Sequence, residues 1–431
     1  MPFLLNALYL SLLIFVSPFV LWRYWRHGRY RRGWNDRIFG PNRYAISPCT
    51  VWLHAVSVGE VQVLRPIIET FESQRPDLKL AISVSTDSGM DLANKLFSKH
   101  QVFFAPIDFS WAIRAALRIL KPELIILAEL ELWPNWLMQA EKLGCPVAVV
   151  NGRLSENSFR GYSRIRFLVR KYFGSIDWVG AQSETIAERF QSLGVHPNRI
   201  TVTGNVKFDG ASWQRSAPEV ISRKNLLHLN SDHQVFLAGS TQSPEEALVL
   251  STFAKLAIRY PTLKLIIVPR HVERFNEVAK LIEATGLEWA RRSLCPTDIP
   301  PDWRVFLADS VGELRWWWGL ADIGFVGGSF GDRGGQNMIE PCAYGVATCF
   351  GPNTRNFADI VQLLLEEKAC EQLLKPDDLQ VWVESMFIQS LKRETMSTQA
   401  IHTCKKHRGA TQRSWENLLQ FLPKNEPNHP R

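Results

Sequence analysis

Several things are missing from this chain of 431 residues, and each absence narrows its function. Seven cysteines, an odd number with no CxxC pair and no metal-ligand spacing, make neither a disulfide framework nor a zinc site. They read as ordinary thiols of a reducing compartment. No internal repeat or low-complexity tract is present, which excludes solenoid and array architectures. Hydrophobic residues at 46% and charged residues at 21% exclude a disordered, fibrous or coiled-coil protein. Acidic residues are in deficit: Asp+Glu 42 against Lys+Arg 50 leaves a net charge of +8. That balance favours an acidic partner, whether nucleic acid, an anionic membrane surface, or a phosphorylated or carboxylated substrate. Trp is abundant, at 16 residues, and the basic balance does not account for it.

Charge is missing altogether from residues 3–22, FLLNALYLSLLIFVSPFVLW. Twenty residues is about the length that crosses a hydrocarbon core of roughly 30 Å. Arg23, Arg26, Arg29, Arg31 and Arg32 follow at once. A cleaved signal peptide carries its basic residues before the apolar run and a small-residue cleavage site after it, and this segment has neither. Basic residues just after a span hold that side in the cytoplasm. The expectation is a single N-terminal anchor in the inner (cytoplasmic) membrane, drawn to anionic lipids, with the rest of the chain on the cytoplasmic side. Asn6, Ser11, Ser17 and Pro18 dilute the run, so an interfacial or buried helix is the alternative.

Beyond the basic segment, short apolar runs at 51–56, 80–85, 124–127 and 147–150 alternate with helical patterns such as 61–71 and 91–97. The rhythm restarts at 235–238, 263–268, 304–307 and 323–326. Strands alternating with helices imply parallel βαβ units. The predicted architecture is α/β, with two Rossmann-like doubly wound domains facing a cleft, where ligand binds at the carboxyl ends of the strands. The boundaries are an anchor and basic segment over 1–33, domains over 34–212 and 213–422, and a disordered tail over 423–431. The linker is sought within 204–230. Residues 160–173, RGYSRIRFLVRKYF, form a basic amphipathic helix in which Tyr162, Ile165, Leu168, Val169 and Tyr172 share a stripe. Such a helix lies on an anionic membrane or packs on a core with a solvated basic face.

Candidate chemistry gathers at the ends of these strands. Ser57-Val58-Gly59-Glu60 is a capping-box pattern, yet its carboxylate also ends a strand, where it can act as a general base. Glu129 and Glu131 stand at i and i+2, pointing the same way if the segment is extended. Lys207 precedes the linker. Arg270, after a strand ending in Pro269, can clamp a phosphate or carboxylate through its planar fork, while His271 has no partner at ligand spacing. The strongest local signal is 321–345, where a strand runs into Gly327-Gly328-Ser329, and Gly334-Gly335-Gln336-Asn337 opens an apparent helix bearing Glu340. Glycines let backbone N–H groups approach an anion. The order is neither GxGxxG nor a Walker A loop. Gly239-Ser240-Thr241 offers a second anion-sized turn.

Taken together, these motifs resemble the 3-deoxy-manno-octulosonic acid (Kdo) transferases of lipopolysaccharide assembly, glycosyltransferases of the GT-B type. The anchor and Arg-rich segment are followed in order by HAVSVGEV, ELELWPN, NGRLSENSFRGY, GNVKFD, AGSTQSPEE, VPRHVERF, VGEL, FVGGSFGDRGGQNMIEP and GPNTRNF. The resemblance implies transfer of Kdo from CMP-Kdo to a lipid A precursor of the lipid IVA type, inverting at the anomeric carbon, with no metal, no cofactor and no nucleic-acid polymer as partner. It makes Glu60 the general base, with Glu129 and Lys207 stabilising the transition state. It assigns CMP to Pro269 and Arg270, to Val311, Gly312 and Glu313, and to Asn337, Met338, Ile339 and Glu340. The chain departs from the family's usual pattern at Leu130, where Thr is usual, at Gln336, where His is usual, and at Gly152, where Ala is usual. Two alternatives stay open: a GT-B transferase using another activated sugar or lipid acceptor, and a non-catalytic membrane-tethered protein that binds sugar nucleotide.

Overall fold

The structure is a computed structural model describing residues 5–7, 9–11, 32–42, 44–131, 133–210, 214–295, 297 and 299–424. The chain forms two compact units, one of residues 1–209 with 407–431 and one of residues 210–406.

The first unit is built on seven parallel strands: β1 (Val51–Ala55), β2 (Leu80–Val84), β3 (Gln101–Phe104), β4 (Leu124–Ala128), β5 (Val147–Gly152), β6 (Trp178–Ala181) and β7 (Ile200–Val202). Their order is β3-β2-β1-β4-β5-β6-β7, so the winding reverses between β1 and β4. Every residue of β1, β2, β4 and β5 is buried, as expected of a parallel sheet covered on both faces. The two-residue period divides the side chains. Trp52, Ile125 and Leu127 join a cluster with Trp136 and Phe173. Val51, Leu53, Leu124 and Ile126 join the opposite one, with Leu64, Ile68 and Phe71 of the helix Val58–Gln74. His54 of the HAVSVGEV motif is a core residue, its Nδ1 2.9 Å from Ser83 Oγ and its ring 4.8 Å from that of Trp136. Burial pulls its pKa down to about 4.

The second unit has strands β8 (Gln234–Thr241), β9 (Leu263–Pro269), β10 (Trp289–Arg291), β11 (Val305–Leu307), β12 (Ile323–Val326), β13 (Ala347–Phe350) and β14 (Glu371–Gln372). Their order is β10-β11-β9-β8-β12-β13-β14, all parallel, with the reversal between β8 and β12.

All eight apolar runs named from the sequence are strands, and the six missed ones are short or have mixed polarity. The domain limits differ at the carboxyl end. The chain leaves the second unit at 406, not 422, because Ala410, Trp415 and Leu418 of the helix Ala410–Leu418 are core residues of the first. Part of the expected linker is also structured. Val206–Phe208 is a turn of 3-10 helix and Pro218–Leu226 an α-helix. The amphipathic stretch breaks at Ile165 into helices Glu156–Arg164 and Arg166–Gly174. Val169, Tyr172 and Phe173 are buried, but Ile165 and Leu168 are exposed beside Phe167, which is 80% accessible.

Most of the charge-free run lies outside the described residues, as do 425–431 of the tail. Among the described residues no helix is long and apolar enough to cross a membrane. The start of the run rests on the first unit. Asn6 is buried, donating to Ser110 Oγ at 2.7 Å and accepting from Asn135 Nδ2 at 3.2 Å, while Tyr9 donates to Asp108 at 3.0 Å.

Candidate active site

The first group of charged residues lies at the reversal point of the first sheet, where adjacent strands β1 and β4 send their following loops apart. Ser57 caps the helix Val58–Gln74, accepting from the Glu60 N–H at 3.4 Å. Glu60 reaches back, with Oε2 accepting from Val56 N–H at 2.7 Å and Oε1 from Ser57 Oγ at 3.2 Å. The capping box therefore forms, and it fixes the carboxyl at the strand end. Burial raises the Glu60 pKa to about 7. The Val56 N–H opposes the shift, and the neighbouring charges of Glu129 and Glu131 add to it.

Glu129 follows β4 and takes a left-handed conformation, φ +61°, as does Leu130 at φ +117°. The segment is therefore not extended, and the i, i+2 argument that paired Glu129 with Glu131 fails. A leucine at such a φ is strained, and the surrounding contacts must hold it there. Glu129 Oε1 lies 3.2 Å from Lys207 Nζ and accepts from Asn151 Nδ2 at 3.4 Å, while Arg153 stands 3.9 Å from Oε2. Asn151, itself at φ +54°, ties the group together. Its Oδ1 accepts from Val206 N–H at 3.0 Å, at the start of the 3-10 turn that carries Lys207. Glu60, Glu129 and Lys207 are thus brought together within one unit. Asn151 and Arg153 were missed as site residues, although both lie in the quoted NGRLSENSFRGY motif. Only a folded sheet shows that β5 ends beside β4.

The second group stands at the carboxyl ends of β9 and β12 in the other unit. Pro269 is the buried last residue of β9, and Arg270 leaves it exposed, its N–H donating to Thr241 O at 3.0 Å. Glu340 is raised by burial, against the pull of Asn337, Arg315 and Arg270. Asn337 Nδ2 donates to Glu340 at 3.1 Å and its Oδ1 accepts from Ile339 N–H at 3.0 Å. Met338 and Ile339 are buried, so the polar side chains this segment offers are those of Asn337 and Glu340. The helix there is only Ile339–Ala343. Val311 and Gly312 are exposed at the tip of their turn. Glu313 is taken up internally, accepting from Arg223 at 2.7 Å and Ser310 Oγ at 2.5 Å. Arg315 is a further cation of this group that sequence reading missed.

The glycine-rich loop does cradle an anion, but one belonging to the protein. Glu245, buried at 2%, accepts from Gln242 N–H at 3.0 Å and Gly328 N–H at 2.7 Å through Oε2. Through Oε1 it accepts from Ser329 N–H at 2.9 Å and Phe330 N–H at 3.0 Å. His271 is exposed, and among the described residues no group of His, Cys, Asp and Glu has the arrangement of a metal site. All seven cysteines are free thiols.

Two doubly wound parallel units, each with charged residues at the carboxyl ends of its strands, have the architecture of the GT-B fold. The fold alone is shared with the UDP-GlcNAc 2-epimerase from Neisseria meningitidis bound to UDP-GlcNAc, with TM-score 0.52 at 15% identity over 86% of this chain and 100% of that one. The family model for 3-deoxy-D-manno-octulosonic-acid transferase (kdotransferase) matches residues 27–210. The 3-deoxy-D-manno-octulosonic acid transferase of Haemophilus influenzae is 30% identical over 97% of this chain and 99% of its own. That of Bordetella pertussis is 31% identical over 94% and 97%. The chain belongs to the Kdo transferase family. A solved C-terminal CMP-Kdo binding domain of WaaA from Acinetobacter baumannii is 32% identical, covering 43% of this chain and 95% of that one with TM-score 0.41.

Proposed function

We propose that this enzyme transfers Kdo from CMP-Kdo to a hydroxyl of a lipid A precursor, with inversion and without a metal. The observation that carries the reading is Glu60, a half-buried carboxyl at the reversal point of its sheet whose pKa is raised to about 7. A base poised near operating pH is what proton removal from a sugar hydroxyl requires. In this reading Glu60 takes the hydroxyl proton, the oxygen attacks the anomeric carbon, and the bond from that carbon to the CMP phosphate breaks. Arg270 compensates the charge on departing CMP. Lys207, steadied by Glu129, supplies positive charge where negative charge develops. The donor's phosphate and carboxylate and the acceptor's phosphates suit a chain of net charge +8.

Work at the inner-membrane surface is part of the same proposal. Support comes from the charge-free run at 3–22, the five arginines that follow it, and the exposed Ile165, Phe167 and Leu168 among Arg164, Arg166 and Arg170. Purified enzyme given CMP-Kdo and tetra-acylated lipid A precursor is expected to yield a product heavier by whole Kdo units. Turnover of a UDP-sugar but not of CMP-Kdo would favour the other transferase reading. Liposomes containing anionic lipid are expected to carry the enzyme on flotation, and neutral ones to carry less.

A further inference from the structure

Glu245 occupies a nest of four backbone N–H donors, an arrangement that suits an anion. Consecutive backbone N–H groups at a strand-to-helix loop form an anion nest, and β12 feeds one of these at the reversal point of its sheet. Four donors converge there, on Gln242, Gly328, Ser329 and Phe330, and all four are spent on the Glu245 carboxylate. The loop has closed tightly on it. A Cβ added at Gly327 would lie 2.6 Å from Thr241 Cα and 2.8 Å from Glu245 Oε2. The carboxylate is buried and springs from the first residue of the 15-residue helix Glu245–Arg259, so it is an immobile part of the loop.

We infer that Glu245 restricts the donor to sugars linked to a nucleoside monophosphate, by filling the backbone nest that a second phosphate would need. The inference rests on the CMP-sugar reading above and adds a residue that sets its selectivity. A nucleoside diphosphate has two phosphates to seat. One can meet the side-chain cations Arg270 and Arg315, which act on Glu340. The other would look for backbone donors and find them occupied by a fixed negative group. Two anions sharing a buried nest repel, and neither has water to screen it. A single-phosphate donor meets the side-chain cations without that conflict. The glycine-rich loop therefore acts as a filter on phosphate number, not as a phosphate cradle.

Titration calorimetry of CMP and CDP on the full-length wild-type enzyme tests this without any variant. CDP is expected to bind no more tightly than CMP. A CDP affinity tenfold or more above that of CMP would overturn the inference while leaving the donor reading intact, and failure of CMP to bind at all would overturn the donor reading itself. Glu245→Ala frees four donors and is expected to raise the CDP-to-CMP affinity ratio at least about tenfold. Glu245→Gln keeps the shape, removes the charge and is expected to raise the ratio by less. A folded variant that loses thermal stability but keeps the wild-type ratio would make Glu245 a purely structural brace.

Discussion

Burial raises the Glu60 carboxyl to about 7, while the Val56 N–H and Ser57 hydroxyl pull the other way. The hydrogen bonds that complete a helix cap thus also hold the proposed base at a fixed position. Because the folded-state value lies above the ordinary carboxyl value of 4.5, Glu60 favours the folded state below about pH 4.5. That contribution is lost as pH rises through 7. The penalty above pH 7 is on the order of 3 kcal/mol, and Glu60→Gln removes it. Scanning calorimetry should find the variant gaining on the wild type from pH 5 to about pH 7 and keeping that gain to pH 9; parallel curves between pH 5 and pH 7 would mean that the carboxyl is not raised. Arg270 offers an independent test. Arg270→Ala should weaken CMP binding by about 1.5–3 kcal/mol, the worth of a hydrogen bond to a charged group. Unchanged affinity would remove it from the donor site. At this scale the grouping of Glu60, Glu129 and Lys207 was legible as a candidate site, because each stands in a short quoted motif after a strand. Glu245 was not. It lies in the quoted AGSTQSPEE motif, but three of its four donors are over eighty residues away, and no local pattern announces a carboxylate that fills a distant glycine loop.

Among the elements, the last helix bears most directly on the site. Asp209 closes the GNVKFD motif two residues after Lys207, and its carboxylate accepts from Gly409, Ala410 and Thr411 N–H at 2.6, 3.0 and 2.6 Å. It caps the helix Ala410–Leu418, whose Trp415 meets Phe71 edge to face at 5.1 Å. The helix therefore braces the segment that presents Lys207 on the helix that carries Glu60 in its first turn. Trp415→Ala should cost about 3–5 kcal/mol, read by denaturant unfolding of the first unit. Asp209→Ala should cost about 1–2 kcal/mol through the lost cap and lower the transfer rate as Lys207 loosens. Full stability in either variant would mean that the carboxyl-terminal helix is an ornament. Sequence reading assigned this helix to the second domain, since contiguity is the default guess and the apolar pattern of 410–418 does not say which core it joins. Strands were easier to find because parallel sheets buried on both faces leave continuous apolar runs. Short edge strands such as β10 and β14 leave almost no such mark.

Over the whole molecule, the alternation of strands and helices was enough to give two doubly wound units, since that rhythm admits few other folds. Ten segments in family order then gave the function, which the fold alone leaves open. The N-terminal run was read by its apolar content. Its first polar residues, Asn6 and Tyr9, prove to be bonded to Ser110, Asn135 and Asp108, contacts that hydropathy cannot foresee.

The central claim is that Glu60 is the base for transfer to the acceptor. The most direct test is the rate of Kdo transfer at saturating CMP-Kdo and lipid A precursor, from pH 5 to 9, for wild type and Glu60→Gln, with CMP affinity measured alongside. The wild-type rate should climb about tenfold per pH unit on the acid side and level off near pH 7. The variant should bind CMP normally, show a flat profile and lose roughly 100-fold or more in rate on the plateau above pH 7, the gap closing toward pH 5 as Glu60 of the wild type is protonated. A flat wild-type profile together with normal turnover by Glu60→Gln would reduce Glu60 to the cap of its helix and contradict the account.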